Sequence, residues 1–367
     1  MTTPARGAHA PDPSAQAAAD AGLIHVSDAD PGISRRRAGK GFSYRTPDGR
    51  ALRDSATLAR IRALAIPPAY TQVWICTQPR GHLQATGRDA RKRKQYRYHA
   101  QWNASRGDGK FERIVAFGQA LPRLRRRLRA DLKLKGFPRD KVLAIVVALM
   151  MDTLARIGND EYARSNKSYG LTTLRNRHVE FVRGGRARLK FRGKGGLEHD
   201  IELDDKRLVK LVRGCQELPG QALFQYRDDD GTVQPVDSGA VNDYLRDAMG
   251  EVFTAKDFRT WGGTLQAFRH FAATPLPVGK RGDASERALA AAQNLVVRTV
   301  ADALGNTVAV CRKAYIDPAV FAGWRDGSLS RTAQEASGAR QWELAALRFL
   351  KRARKEAARQ AKSRNRR

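Results

Sequence analysis

Along residues 41–101 the apolar positions come in short runs. Phe42-Ser43-Tyr44, Val73-Trp74-Ile75-Cys76 and His82-Leu83-Gln84-Ala85 are separated by turn signals at Pro47-Asp48-Gly49 and Pro79-Arg80-Gly81, a pattern that predicts strands. One helix, over Ser55–Leu64, interrupts them and stops before Pro67-Pro68, because the residue preceding a proline is held out of the α region. From Phe111 the period changes. Phe111–Arg129 and Lys141–Ile157 carry apolar residues at spacings of three and four, the signature of helices with a buried face. Arg186–Leu203 alternates on both sides of Arg192-Gly-Lys-Gly-Gly and predicts a β-hairpin with a glycine-rich turn. Further helices are expected over Asn242–Met249, Thr264–Thr274, Ser285–Leu304 and from Trp342 into the C-terminal end. No internal repeat is found.

These elements define an α+β fold, with a small β-rich N-terminal domain over 23–108 and a mostly helical domain with a β-hairpin over 109–345. Residues 1–22 are rich in Ala, Pro and small polar residues without periodicity and are expected to be disordered. Residues 346–367 read as a basic tail, a helix or a frayed end: the last seventeen positions hold nine basic groups and one acid, Glu356.

Charge narrows the partners. The chain has 68 Lys and Arg against 37 Asp and Glu, a formal net charge of +31. That surplus favours a polyanion, since basic groups on phosphates release condensed counterions. Nucleic acid leads, with an anionic membrane surface behind it. Cys76, Cys215 and Cys311 are far apart with no CxxC spacing, so neither a disulfide framework nor a zinc site is expected and a reducing cytosol fits. The longest apolar run, Val142–Met151, is too short to span a bilayer, and no secretory signal is evident. A soluble cytoplasmic protein is expected, associated with the nucleoid if the source is bacterial.

The common hydrolytic engines are missing: the sequence has no GxxxxGK[ST] loop, no HExxH and no HxE with CxxC, so ATP and metal hydrolysis lack support. An ordered set of cations followed by a tyrosine remains. Arg156 stands at the end of the apolar helix in Ala-Arg-Ile-Gly-Asn, and Lys194 in the hairpin turn. Arg259 lies in Asp257-Phe-Arg-Thr-Trp-Gly, Asn306 after Ala303-Leu-Gly, and Tyr315 in Arg312-Lys-Ala-Tyr-Ile-Asp-Pro. Such a set suits phosphoryl transfer without metal. Guanidinium forks hold the nonbridging oxygens of an attacked phosphodiester, and a neutral donor adds to that charge stabilisation. A lysine on a turn can protonate the leaving 5′ oxygen. Tyrosine, a weak nucleophile with a free pKa of about 10, is made competent by neighbouring cations. A covalent phosphotyrosine then conserves the phosphodiester energy, so the strand can be resealed without ATP. Neither a metal nor an organic cofactor is expected.

In this order and these contexts the residues resemble the poxvirus and bacterial type IB DNA topoisomerases, over roughly residues 25 to 325. The resemblance rests on Arg156-Ile-Gly, Tyr169-Gly-Leu-Thr-Thr-Leu-Arg-Asn-Arg-His-Val, Gly193-Lys194, Phe258-Arg-Thr-Trp-Gly and Lys313-Ala-Tyr315. It implies a tyrosine recombinase-like catalytic core in which Tyr315 is the nucleophile and Arg156, Lys194, Arg259 and Asn306 are its catalytic partners. It also implies a 3′-phosphotyrosyl intermediate, rotation of the free end and religation. The chain departs from poxvirus members at Asn306, where they carry histidine; an amide still donates to a phosphate oxygen, but proton transfer does not carry over. In Gly87-Arg-Asp-Ala-Arg-Lys-Arg-Lys-Gln-Tyr-Arg-Tyr-His, Gln95, Tyr96 and Tyr98 match DNA-contacting positions, as does Tyr162 in the second domain. The implied whole is a monomeric clamp around supercoiled duplex DNA. Basic residues interleaved with aromatics are, independently, what a nucleic-acid surface needs.

Two rivals stay open at this point. A tyrosine recombinase or integrase shares the chemistry, but its last arginine stands closer to the tyrosine than Arg259 does to Tyr315. Its His-x-x-Arg element is also not met, because Ala273 follows His270 where the arginine would be; His270 is read as structural. A non-enzymatic DNA-binding protein explains the charge but not the ordered five residues. The run Arg123–Arg129 is read as a solvated helix face.

Overall fold

Alternating and 3.6-period segments settle into two compact units, Met1–Lys110 and Phe111–Arg367. The structure, a computed structural model, describes residues 13–364 apart from 40, 91, 93, 229, 251–252 and 280–284.

The first unit is built on a five-stranded antiparallel sheet. Its elements are α1 (Pro13–Asp20), β1 (Ile33–Ala38), β2 (Gly41–Arg45), α2 (Ser55–Ala63), β3 (Thr71–Ile75), β4 (Leu83–Arg88) and β5 (Lys94–Tyr98), and the sheet order is β2-β1-β3-β4-β5. Ile61 of α2 closes one face against Ile33, Val73, Ile75 and Ala85. In β4 every residue from Leu83 to Gly87 is buried, including the polar Gln84. That burial is tolerated because its amide is fully engaged. Its Nε2 donates to the carbonyls of Gln78, Pro79 and Gly81, and its Oε1 accepts from Arg60 at 2.6 Å. Asp54 caps α2 by accepting from Thr57 N.

At the chain ends one expectation is corrected and one is narrowed. Residues 13–22 are ordered: the alanine-rich stretch forms α1, and Ala18 and Leu23 bury against Trp102 in a small core of their own. The alanines that read as low complexity are also strong helix formers. The rest of that expectation, residues 1–12, lies outside the described residues, as do Arg91 and Arg93 of the basic run. At the other end, the basic segment from residue 346 takes the helical one of its two expected forms, and its first turn is part of the core. One helix runs from Ala339 to Arg364, and Ala345, Ala346, Phe349 and Leu350 lie in the core; residues 365–367 are outside the described range.

The second unit surrounds one apolar helix. After α3 (Ala100–Asp131), which begins well before the expected Phe111, α4 (Arg139–Thr153) follows. Val142 to Val147, Leu149 and Met150 of α4 are completely buried, so this helix is apolar all round and must be covered on every side. The remaining elements are α5 (Asp160–Asn166), β6 (Val179–Val182), β7 (Arg186–Arg192), β8 (Glu198–Leu203), α6 (Lys206–Gln216), β9 (Gln225–Arg227), β10 (Val233–Pro235), α7 (Ser238–Met249), α8 (Ala255–Ala272), α9 (Glu286–Ala303), α10 (Val308–Ala314), α11 (Pro318–Arg325), α12 (Ser328–Ala333) and α13 (Ala339–Arg364). Helices α6, α7 and α8 pack on α4. The expected hairpin is present as β7–β8, with Arg192 opposite Glu198, and β6 adds a third strand to it.

Within the run on α3, Arg123, Arg126 and Arg129 are exposed as expected, but Arg125 and Arg127 are half-buried and ion-paired. Arg125 pairs with Glu343 at 2.5 Å, and Arg127 bridges Asp131 at 2.5 Å and Asp140 at 2.7 Å. Asp131 is buried and also accepts from Tyr244 Oη at 2.7 Å. Burial, then Asp131 itself, push the Tyr244 phenol well above its ordinary pKa, so it stays a donor. Removing that donor with Tyr244→Phe leaves a carboxylate oxygen short of a partner. The expected loss is about 1–3 kcal/mol of unfolding free energy in urea titrations, with the m-value unchanged.

Candidate active site

Helix α4 ends earlier than its apolar pattern suggests, and this end builds the site. Thr153 Oγ1 donates to Leu149 O and accepts from Ala155 N, diverting the backbone from helix. Leu154 then takes a left-handed conformation at φ +54. Arg156 therefore does not end the helix but stands in the loop beyond it. Its guanidinium donates to Asn306 Oδ1 at 2.6 Å and to Gly305 O at 3.4 Å.

Arg259 occupies the opposite wall. It lies in α8, which starts at Ala255 rather than Thr264 and is opened by a capping box between Thr254 and Asp257. Its side chain is buried, with Nη1 donating to Leu154 O and Nη2 to Leu304 O. Thus one guanidinium joins the ends of α4 and α9. Helix α9 closes with Asn306 N bonded to Ala301 O and Gly305 N to Asp302 O, the Schellman arrangement, which places a left-handed residue, Gly305 at φ +55, after the cap. Asn306 is delivered to Arg156 by that turn.

Tyr315 follows as the C-terminal cap of α10. Its ring centre lies 5.1 Å from the Arg259 guanidinium carbon. Its backbone is anchored to α8, since Thr264 Oγ1 donates to Tyr315 O at 3.2 Å and accepts from Asp317 N at 3.1 Å. Asp317 is fully buried, caps α11 by accepting from Ala319 N, and is ion-paired with Arg354 of α13. Burial raises its carboxyl pKa, and Arg354 opposes that shift.

Arg156, Lys194, Arg259 and Tyr315 line a cleft of about 300 Å³ together with Tyr162 and Tyr169. Lys194 is exposed in the turn between β7 and β8. Tyr162, which is 40% exposed, is held on α5, whose first turn is capped by Asn159. Asn306 is beside this cleft through Arg156. The electrostatics are those of an anion site. Burial first, and then Arg259, lower the pKa of Arg156. Two guanidinium groups, one buried and one half-buried, are crowded together, and a bound anion relieves the cost. Arg259 Nε and Asn306 Nδ2 are buried without a hydrogen-bond partner among the described residues. Buried donors are nearly always satisfied, so a pair of orphans between two arginines marks where acceptor oxygens belong.

Gln95, Tyr96 and Tyr98 belong to the first unit, on its edge strand β5. Tyr96 and Tyr98 are 44% and 38% exposed, and their rings stack at 6.0 Å. Gln95 donates to Asp89 at 3.0 Å. Sequence reasoning missed His199. It stacks on Phe191 at 4.9 Å, and burial, then Arg156 and Arg259, lower its pKa. Its only sequence signal was a position five residues after Lys194. His270 is exposed on α8 and does not line the cleft.

A cation-walled cleft with a tyrosine against one arginine suits phosphoryl transfer, and comparison with known proteins supplies the family. The family described as eukaryotic DNA topoisomerase I, catalytic core, matches residues 99–327, and the bacterial DNA topoisomerase IB N-terminal domain matches residues 41–89. The chain is 31% identical over 289 residues to the DNA topoisomerase 1B of Acanthamoeba polyphaga mimivirus, covering 78% of this chain and 85% of that protein. With the DNA topoisomerase 1B of vaccinia virus (strain Copenhagen) it shares 23% identity over 260 residues, 67% of this chain and 73% of the viral one. A third relative, the DNA topoisomerase 1 of Mycosarcoma maydis, is 24% identical over 173 residues, 42% of this chain and 17% of that protein. The chain belongs to the type IB DNA topoisomerase family.

Two measurements follow from the geometry. Arg354→Ala leaves Asp317 buried without its counter-charge and is expected to cost about 3–5 kcal/mol; adding Asp317→Asn should return most of that in denaturant titrations. His178, buried under Tyr169 at 4.5 Å between ring centres, has its pKa lowered to about 4 by burial, then by Arg177 and Arg175. Its folded pKa lies below the ordinary 6.5, so this stabilisation is complete above about 6.5 and is lost as pH falls towards 4. Urea midpoints measured between pH 7 and pH 4 should fall more steeply for the wild type than for His178→Gln.

Proposed function

We propose that this type IB topoisomerase relaxes supercoiled duplex DNA through a covalent 3′-phosphotyrosyl link at Tyr315, without ATP or metal. The observation that carries the reading is the pair of buried, unsatisfied donors on Arg259 and Asn306: Asn306 is bonded to Arg156, and the Arg259 guanidinium lies over the ring of Tyr315.

Tyr315 Oη attacks phosphorus and loses its proton to solvent. The Oη–P bond forms as the P–O5′ bond breaks, and Lys194 donates the proton that the 5′ oxygen needs to leave. Arg156, Arg259 and Asn306 hold the nonbridging oxygens as charge builds on them. The two arginines are fixed beforehand by backbone carbonyls and Asn306 by Arg156, so they need little reorganisation. Religation is the same path reversed, with the free 5′ hydroxyl attacking and Tyr315 leaving. The strand end rotates between the two steps. Because one phosphodiester is exchanged for another, no external energy source is required.

Duplex contacts are assigned to Tyr162 in the catalytic unit and to Gln95, Tyr96 and Tyr98 in the N-terminal unit. Tyr96 and Tyr98 offer an exposed aromatic pair with Lys94 5.7 Å from the Tyr96 ring centre, a surface that suits a phosphate backbone and sugar edges. No described helix is long and apolar enough to cross a membrane, and the reading is of a monomer acting in the cytoplasm.

Relaxation of negatively supercoiled plasmid in EDTA without ATP tests this directly. Wild type should relax it, whereas Tyr315→Phe should bind with unchanged affinity and leave it supercoiled. Binding without relaxation by both proteins would overturn the reading, and strand exchange between two specific sites would replace it with recombination.

A further inference from the structure

The imidazole of His199 stands between the two loops that carry Lys194 and Asn306. On one side is Gly193, where an added Cβ would lie 2.5 Å from His199 Cδ2 and Nε2. On the other is Gly305, where a Cβ would lie 2.7 Å from His199 Cε1. No side chain larger than hydrogen fits at either position without moving the ring. Gly193 immediately precedes Lys194, and Gly305 immediately precedes Asn306. The ring is fixed from behind by Phe191, its cross-strand partner, at 4.9 Å and 20° between planes. Arg156 holds Gly305 from the far side through its carbonyl. Arg156, Gly305, His199, Gly193 and Lys194 thus form one contiguous series of contacts across the cleft.

We propose that His199 is a positioning residue for Lys194: its ring is the spacer that sets the lysine turn against the Asn306 loop, so that the proton donor meets the leaving oxygen while the phosphate is held. The proposal rests on the assignment of Lys194 as general acid. His199 does not touch the reacting atoms. Its charged neighbours are Arg156 and Arg259, with Glu198 beside it on β8. Burial, then the two guanidiniums, lower the ring's pKa and so favour its uncharged form. Apart from Leu197, whose Cδ2 would lie 3.0 Å from a Cβ at Gly305, the turn itself is lightly held. Gly193 N bonds to Leu197 O at 2.7 Å and Gly196 N to Gly193 O at 3.1 Å, while Lys194 through Glu198 are exposed. Misplacing a reacting group by about an ångström costs on the order of a hundredfold in rate, so a lysine on such a turn depends on whatever braces it.

Changing the leaving atom isolates the proton donor. A suicide duplex with an ordinary scissile phosphodiester is compared with one carrying a 5′-bridging sulfur, whose thiolate leaves without protonation. In single-turnover cleavage, His199→Ala should slow the oxygen substrate by about tenfold to a hundredfold. It should cleave the sulfur substrate within about threefold of wild type, with unchanged duplex affinity. Gly193→Ala, which presses on the ring from the lysine side, should give the same selective defect and serves if His199→Ala does not fold. His199→Phe keeps a planar ring and should restore most of the rate on oxygen. Equal slowing on both substrates, or no slowing on either, overturns the proposal. Lys194→Ala is the control for the underlying assignment: if sulfur does not rescue it, the general-acid reading itself fails and this proposal with it. Rescue of Lys194→Ala but not of His199→Ala removes the proposal alone.

Discussion

Arg259 holds two carbonyls, of Leu154 and Leu304, that belong to the ends of different helices. A buried guanidinium cannot shed its charge, so it must find acceptors, and the chain supplies them by ending α4 and α9 where it does. The left-handed Leu154 and the Schellman turn at Gly305 are the local solutions that turn those carbonyls toward it. Arg156 and Asn306 are positioned as by-products of the same two endings. The catalytic cleft is therefore less a set of residues placed on a scaffold than the meeting point of helix termini around one charge. Its third nitrogen, Nε, and the Asn306 amide are left over from this arrangement, and the proposed chemistry uses what is left over.

Much of this was legible in the sequence. The hairpin over 186–203 was visible because its burial alternates strictly, and α4 because it has no polar face. The five residues of the proposed site could be named because each sits in a distinctive local context. What stayed hidden has physical causes. Trp261-Gly262-Gly263 masked the first turns of α8, since paired glycines read as a break, although the capping box at Thr254 and Asp257 was in plain view. The end of α4 was overrun because a threonine hydroxyl bonding back to its own helix leaves no trace in periodicity. Strand β6 has four residues, too few for alternation to declare itself.

Long-range partners were beyond reach for a different reason. Nothing in Tyr315-Ile316-Asp317-Pro318 announces that its carboxylate is completely buried, or that the counter-charge comes from Arg354, in the segment that composition assigned to a basic tail. A helix from Trp342 onward was legible from its apolar spacings, but not which of its basic residues would turn inward. His199 was passed over because single histidines on strands are usually unremarkable. Its importance comes from two glycines distant in sequence that close on it from either side.

The anchoring of the Tyr315 segment has a mechanical meaning in the covalent state proposed above, with Tyr315 joined to DNA. In that state, torsion stored in the duplex would act on the protein through a single phosphotyrosyl ester. The load enters the backbone at Tyr315 and meets Thr264 at its carbonyl, then the Asp317–Arg354 pair two residues on. These contacts pass it into α8 and α13, two of the longer helices of the catalytic unit. Helix α10, at seven residues, is too short to resist bending alone, and the segment behaves as a short lever bolted at its far end. Weakening the bolt would change how much torque the covalent state withstands before the broken ends lose their alignment, a property distinct from how quickly they are cut.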